Sequence, residues 1–312
     1  MKADSYFHID AVDVQPVAFS FGGEDYRFSV LRLDQVHSSA SGNKFFKLKY
    51  NAFSALQCET KTLLTFGGVW SNHIQATAAV CSELGINSIG VLRGEEPKVW
   101  SETLLTAREN GMELRFVSRA EYKEKHEDFF KAWLREEYGQ FHLVPEGGSN
   151  YLGVQGCMEI SRHFPRTVSS VFLAAGTGAT AAGILLSSDL NIHVNSALKG
   201  GEFLKTDIEN HIYWSTMNTE MTKERLSNLY LHTEHHFGGY AKFNEELIHL
   251  IREFYRQTNI KLEPVYTGKV LACLVDSIKS GAVKNDGSVL MIHTGGLQGL
   301  IGIEKRIQKR VF

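Results

Sequence analysis

Residues 62–93, TLLTFGGVWSNHIQATAAVCSELGINSIGVLR, carry the pattern from which the fold is read. TLLTF (62–66) has the length and composition of a buried strand, two glycines turn the chain, and SNHIQATAAVCSELG (71–85) carries helical apolar spacing up to a terminal glycine. INSIGVLR (86–93) is a second apolar run. Strands that are apolar along their whole length, joined through a helix, indicate a parallel sheet with helices on both faces, since only a strand shielded on both sides dispenses with polar alternation.

The alternation continues outward. WSETLLTAREN (100–110) reads as a helix, MELRFVS (112–118) as a strand, AEYKEKHEDFFKAWLREEYG (120–139) as one helix, and FHLVPEGGS (141–149) closes the series. A second series holds SSVFLAAG (169–176) as strand, ATAAGILLSS (179–188) as helix and NIHVNSAL (191–198) as strand, with SVLMIHTGG (288–296) as the last strand. The expected fold class is α/β with two subdomains, each an open twisted mostly parallel sheet flanked by helices. The smaller is expected at 47–152, the larger from 1–46 plus 153–312. Residues 199–235 give no readable pattern, and with five prolines and no internal repeat the chain has no linker-like segment.

The bulk numbers narrow the function. A chain of 312 residues, 43% hydrophobic, can bury two subdomain cores. Its net charge of -2, from 33 basic and 35 acidic residues, gives no field for nucleic acid or an anionic membrane, so a small polar substrate suits it better. Cys58, Cys81, Cys157 and Cys273 include no C-x-x-C pair and read as reduced, packed thiols. With no apolar run long enough for a signal peptide or a membrane span, a cytoplasmic enzyme is expected.

Five stretches carry candidate chemistry. Gly176-Thr-Gly-Ala-Thr-Ala-Ala-Gly183 puts a glycine-rich turn between a strand and a helix, which makes an anion site from backbone N–H groups and the positive helix end. The same spacing fits a purely structural turn. A dinucleotide fold would need an acidic residue about 20 positions on, where this chain has Ala197-Leu198-Lys199. Phe66-Gly-Gly-Val-Trp-Ser-Asn-His73 opens a helix with polar side chains that either grip a carboxylate or simply cap the helix. Glu263-Pro-Val-Tyr-Thr-Gly-Lys269, together with Phe237-Gly-Gly-Tyr240, offers loop tyrosines for stacking or proton transfer, or for packing alone. His293-Thr-Gly-Gly296 lies at a strand's carboxyl end, where open α/β sheets bind ligands. A fifth stretch, Ser41-Gly-Asn-Lys-Phe-Phe-Lys-Leu-Lys-Tyr50, places a lysine directly behind a Gly-Asn turn. Together these are the parts that hold pyridoxal phosphate: an amine, an anion cradle and polar groups for the ring.

With GNKFFKLKY, GGVWSNH, VPEGGS, GTGAT, PVYTGK and HTGG in this order between about residues 29 and 300, the sequence resembles the 1-aminocyclopropane-1-carboxylate deaminase/D-cysteine desulfhydrase family, pyridoxal-phosphate enzymes of the tryptophan synthase β-like fold. The resemblance implies that Lys44 is the Schiff-base lysine, presented by Gly42-Asn43. It further implies that Asn72 bonds the cofactor's ring hydroxyl, and that Ser71 and His73 lie beside the substrate carboxylate. Gly176, Thr177, Gly178, Ala179 and Thr180 would cup the phosphate with Lys47 nearby. Tyr240 and Tyr266 would be the two active-site tyrosines.

The chain departs from the ring-opening deaminases where they carry a glutamate after the Pro-Val-Tyr tyrosine: it has Thr267, and adds Thr294 as a ring-facing candidate. A neutral hydroxyl there favours an unprotonated pyridine and β-elimination. Phe45-Phe46 replaces a more polar pair. The expectation is a lyase or deaminase acting on a small amino acid, foremost D-cysteine, with ring opening and a catalytically idle cofactor-binding protein as alternatives. A homodimer is expected by fold analogy, and no metal site, since the adjacent Glu234-His235-His236 cannot converge on one ion.

Overall fold

The structure, a computed structural model, describes residues 2–312. Among the described residues ten strands form two sheets. The four-stranded sheet runs β5-β4-β3-β6, all parallel, from β3 (Thr62–Gly67), β4 (Asn87–Arg93), β5 (Glu113–Val117) and β6 (His142–Val144). The opening stretch supplies its central pair, with Thr62 opposite Asn87 and Gly67 opposite Leu92.

The six-stranded sheet has the order β1-β2-β10-β7-β8-β9, built from β1 (Val14–Phe21), β2 (Glu24–Leu31), β7 (Ser170–Ala175), β8 (Asn191–Ser196), β9 (Leu229–His232) and β10 (Val289–Ile292). Only β1 pairs antiparallel, in a hairpin with β2. That hairpin turns on Gly22 and Gly23, whose φ of 62° and 85° the tight turn requires.

The helices are α1 (Lys2–Tyr6), α2 (Asn43–Gln57), α3 (Asn72–Leu84), α4 (Glu102–Glu109), α5 (Arg119–Lys123), α6 (Asp128–Tyr138), α7 (Tyr151–Met158), α8 (Ala179–Ser187), α9 (Phe203–Thr216), α10 (Thr219–Leu226), α11 (Glu245–Thr258), α12 (Thr267–Lys279) and α13 (Gly299–Ile307). The largest core joins the two sheets: Leu63 and Val144 of the small sheet share one buried cluster with Leu48 of α2, Val154 of α7, Ile184 of α8 and Val171 of β7. Helix α2 runs unbroken through residues 46 and 47. A second cluster, including Phe19, Phe172, Phe254, Leu271 and Met291, packs α11 and α12 on the opposite face of the large sheet.

Several boundaries differ from expectation. The helix expected at 120–139 is two, because Ser118 and Glu121 form a capping box that starts α5 early and the chain leaves helical geometry at Glu127. The strand expected at 141–149 pairs only over His142–Val144, then turns through Gly147 and Gly148, both with positive φ. The strand expected at 288–296 stops at Ile292. Residues 199–235 contain α9, α10 and β9. All four cysteines are free thiols. Phe45 and Phe46 are buried in the central cluster, so they pack the core and do not line a pocket.

This topology positions the site. β7 and β10 are neighbours inside the large sheet, and β3 and β6 are neighbours in the small one. The carboxyl ends of all four run into the glycine-containing turns at 176–178, 294–296, 67–68 and 147–148.

Candidate active site

The lysine turn is fixed from the β10 side. Gly42 has φ 74°, and any β-carbon there would collide with the carbonyl of Thr294, so only glycine allows this approach. The Asn43 N–H donates to that carbonyl at 3.2 Å, while the Asn43 side chain donates to Thr180 Oγ1 at 2.9 Å. The turn thus links the HTGG segment to the start of α8 and leaves Lys44 projecting from the first turn of α2. Lys44 Nζ lies 3.3 Å from Asn43 Oδ1. Burial, and secondarily the like charge of Lys47, pull its pKa down to about 7, so a large fraction is free amine near neutrality.

The anion cup follows β7. No side chain caps α8, and Gly178 at its N-cap has φ 75°; the Ala179 N–H donates to the Thr177 carbonyl at 3.0 Å, which leaves those of Thr180 and Ala181 open to a ligand. Lys47 is buried beneath them, with Nζ 3.1 Å from the Gly147 carbonyl and 3.5 Å from Thr177 Oγ1. Ser149 Oγ donates to the Thr177 carbonyl at 3.1 Å and lies 2.9 Å from His211 Nε2, so a serine of the EGGS turn and a histidine of α9 brace the cup from behind. Burial, then Lys47, lowers the His211 pKa. Ile208 of the same helix stands where a β-carbon on Gly178 would come to 2.9 Å.

On the small-sheet side, Ser71 caps α3, its Oγ accepting the Ile74 N–H at 3.3 Å. The hydroxyl proton remains to be donated. Asn72 follows, its amide nitrogen against Gly296: a β-carbon there would stand 2.9 Å from Nδ2 and 3.4 Å from Glu263 Cγ. His73 is buried, and its tautomer follows from its partner. Thr65 Oγ1 donates to the Val144 carbonyl at 2.8 Å, so it accepts from His73 Nε2, also at 2.8 Å, and Nδ1 is left without a partner. Burial, followed by the charges of Lys44 and Lys47, holds His73 well below the usual histidine range, hence neutral.

The tyrosines meet across the opening. Their rings are 6.1 Å apart in an edge-to-face arrangement, and a β-carbon on Gly176 would lie 3.6 Å from the Tyr266 hydroxyl. Burial raises both phenols' pKa, that of Tyr266 well above its ordinary value, so both are protonated donors at neutral pH. The Tyr266 backbone is set by Glu263, whose buried carboxylate accepts the N–H groups of Val265 at 2.6 Å, Tyr266 at 2.8 Å and Thr267 at 2.7 Å. The Thr267 hydroxyl is absorbed in the same cap, 3.0 Å from the Glu263 nitrogen and 3.2 Å from Oε1. The Thr294 hydroxyl is partly exposed and has no protein partner among the described residues.

The structure thus brings the expected stretches together: Asn43 meets Thr180, Lys47 meets Thr177, Asn72 meets Gly296, and Tyr266 lies beside both Gly176 and Tyr240. Sequence reasoning assigned no role to Gly147, Gly148, Ser149, His211 and Glu263. The double glycine of VPEGGS was the available signal for the first three; His211 lies in the stretch without a readable pattern. His235 and His236 do not converge: one bonds Asp276, while the other accepts the Gly238 N–H.

A buried amine of lowered pKa and a helix end without a side-chain cap beside a second lysine have the chemistry a pyridoxal-phosphate site requires. The chain belongs to the family of pyridoxal-phosphate dependent enzymes, whose family model matches residues 27–295. Within it, the chain is a member of the 1-aminocyclopropane-1-carboxylate deaminase/D-cysteine desulfhydrase group. It is 30% identical over 281 residues to a provisionally named 1-aminocyclopropane-1-carboxylate deaminase of Pyrococcus horikoshii, covering 86% of this chain and 84% of that one. It is 29% identical to the D-cysteine desulfhydrase of Serratia proteamaculans over 304 residues, 89% of each chain. A crystal structure described as that of the ACC deaminase homologue superposes with a TM-score of 0.79 at 25% identity, covering 98% of both chains.

The residues fit the cofactor. Lys44 could offer the amine, α8 and Lys47 an anion cradle, and Asn72 and Thr294 polar groups at the rim. The protein is a pyridoxal-phosphate-dependent lyase or deaminase acting on a small amino acid. Among the described residues, no helix is long and apolar enough to cross a membrane.

Proposed function

We propose that the protein catalyses β-elimination on D-cysteine or a related β-substituted D-amino acid; D-cysteine and water would give pyruvate, ammonia and hydrogen sulfide. Pyridoxal phosphate, when bound, acidifies the substrate's α-carbon and accepts the electron pair released there. Lys44 would hold the cofactor and, as a free amine, would take the α-proton on Nζ; its pKa of about 7 suits a base working near neutrality. The cup from Gly176 to Thr180, with Lys47, holds the phosphate. Asn72 bonds the ring hydroxyl. Ser71, His73 and the N-terminal N–H groups of α3 hold the substrate carboxylate, and the paired phenols of Tyr240 and Tyr266 stack or donate a proton.

The observation that carries β-elimination over ring opening is the chemistry of the Pro-Val-Tyr turn. Thr267 stands after Tyr266, and the one carboxylate of the turn, Glu263, is taken up by three backbone N–H groups. The neutral hydroxyl of Thr294 would then face the pyridine nitrogen, which would weaken the electron sink and suit loss of a good leaving group from Cβ. Ring opening of 1-aminocyclopropane-1-carboxylate is the second reading, favoured by the names of the Pyrococcus relative and the superposed structure. A homodimer and a division into domains at 47–152 and the flanking segments belong to the same proposal.

The test is to assay sulfide and 2-oxo acid release from D-cysteine, L-cysteine and 1-aminocyclopropane-1-carboxylate in parallel. Sulfide from D-cysteine alone is expected. Faster turnover of the cyclopropane substrate would overturn β-elimination in favour of ring opening.

A further inference from the structure

Lys269 is among the largest fully buried side chains of the protein and makes no ion pair among the described residues. It sits in the first turn of α12, where the helix dipole disfavours a cation. A buried ammonium in such a place is costly unless every donor is satisfied, and here each is. Nζ lies 3.1 Å from the carbonyl of Ala197, 2.8 Å from that of His236 and 2.8 Å from that of Gly239. Burial lowers its pKa to about 8, with Glu263 acting in the opposite sense, so the ammonium with all three donors prevails at neutral pH.

Two of those carbonyls belong to the loop that carries Tyr240, whose start is also held by the His235–Asp276 contact, by the Gly238 N–H on His236 Nδ1 and by Phe237 against the second core cluster. Phe237, Gly238, Gly239 and Ala241 have φ of 49°, 92°, 117° and 53°, a run of left-handed backbone that neither helix nor strand supports. The loop closes on itself through the Gly239 N–H to His236 and the Lys242 N–H to Gly239, and Arg306 reaches the Ala241 carbonyl at 2.8 Å from outside. Tyr240 follows Gly239 directly. The third carbonyl, at Ala197, stands just past the end of β8, so the lysine ties the loop to the rigid sheet.

We infer that Lys269 is a positioning residue: by gripping the carbonyls of Ala197, His236 and Gly239 it holds the 237–241 loop in its left-handed conformation and so sets Tyr240 against Tyr266 over the cofactor cleft. Glu263 fixes the Tyr266 backbone from the segment just before α12, so the start of this helix and the residues leading into it are the common mount of both phenols. The inference rests on the proposed role of Tyr240 in turnover.

The experiment compares holoenzyme of the wild type, Lys269→Met, Tyr240→Phe and the double variant. Hydrogen exchange of the 236–242 peptide is measured alongside kcat and KM, using whichever of the three assayed amino acids the wild type turns over. Lys269→Met should raise exchange in that peptide by at least about tenfold and leave the cofactor's visible absorbance in place. It should lower kcat by at least about tenfold in the wild type but by less than about threefold in the Tyr240→Phe background. Unchanged exchange in the loop, or losses that multiply in full in the double variant, would overturn the inference. If Lys269→Met does not fold, Lys269→Gln, which keeps two donors, carries the same comparison with smaller changes of the same kind. If the wild type turns over none of the three amino acids, the proposed function fails by itself and loop exchange alone decides whether Lys269 holds the loop.

Discussion

Two turns of the same construction face each other across the cleft. At the end of β3 the chain passes through Gly67 and Gly68 into α3, and at the end of β7 through Gly176 and Gly178 into α8. Both point a helix N-terminus, worth about half a positive elementary charge, into the site. They differ in the cap. Ser71 spends its oxygen on the Ile74 N–H, whereas Gly178 caps α8 with no side chain and places the backbone in left-handed geometry. On the proposed function the uncapped end offers the Thr180 and Ala181 donors to a multiply charged phosphate and gains Lys47 beneath it. The capped end keeps fewer donors but adds the Ser71 hydroxyl, the Asn72 amide and the neutral His73 ring, which suits a single carboxylate whose neighbour is to react. On the proposed function, one turn would hold a group permanently and the other would hold one briefly and in orientation.

The largest effect should come from breaking the uncapped turn. Gly178→Val forces a branched side chain into φ 75° and against Ile208. The backbone strain alone costs about 1–2 kcal/mol, so cofactor affinity should fall at least about tenfold, read by titrating pyridoxal phosphate into the cofactor-free protein. Unchanged affinity would mean that the phosphate sits elsewhere.

The second effect concerns the amine between the turns. With the Lys44 pKa lowered to about 7, reloading of cofactor-free protein should be level above that pH and slow as pH falls, because the protonated amine is not a nucleophile. The slope should approach about tenfold per pH unit. A reloading rate still climbing to pH 9 would indicate an ordinary lysine.

The smallest effect belongs to the capped turn. Ser71→Ala should cost about 1 kcal/mol of stability through the lost cap and raise KM several-fold, with the visible spectrum of bound cofactor unchanged. Loss of cofactor in this variant would erase the division of labour between the turns.

Much of this was legible in the sequence where a signal was local. The four strand ends with their glycines, and the parallel order they imply, follow from apolar runs and helical spacing that need no knowledge of distant residues. The hairpin at 14–31 was not read, since Pro16 interrupts a strand whose alternation is otherwise plain. Helix α9 buries only Leu204, Ile208 and Ile212, a stripe too thin to stand out, and so His211 behind the phosphate cup went unseen. Lys269 and Glu263 were visible as letters of one motif. The lysine's role, however, is defined by carbonyls 30 to 72 residues away, and no local pattern encodes such pairing.

Three lysines of the site region, Lys44, Lys47 and Lys269, have pKa values lowered by burial, and the account stands on Lys44 being the one that bears the cofactor. Reducing the holoenzyme with borohydride makes the cofactor–lysine bond permanent, and peptide mass spectrometry then locates it. The label is predicted on Lys44, within Asn43–Lys47. A label on Lys47 or Lys269, with Lys44 unmodified, would contradict the account.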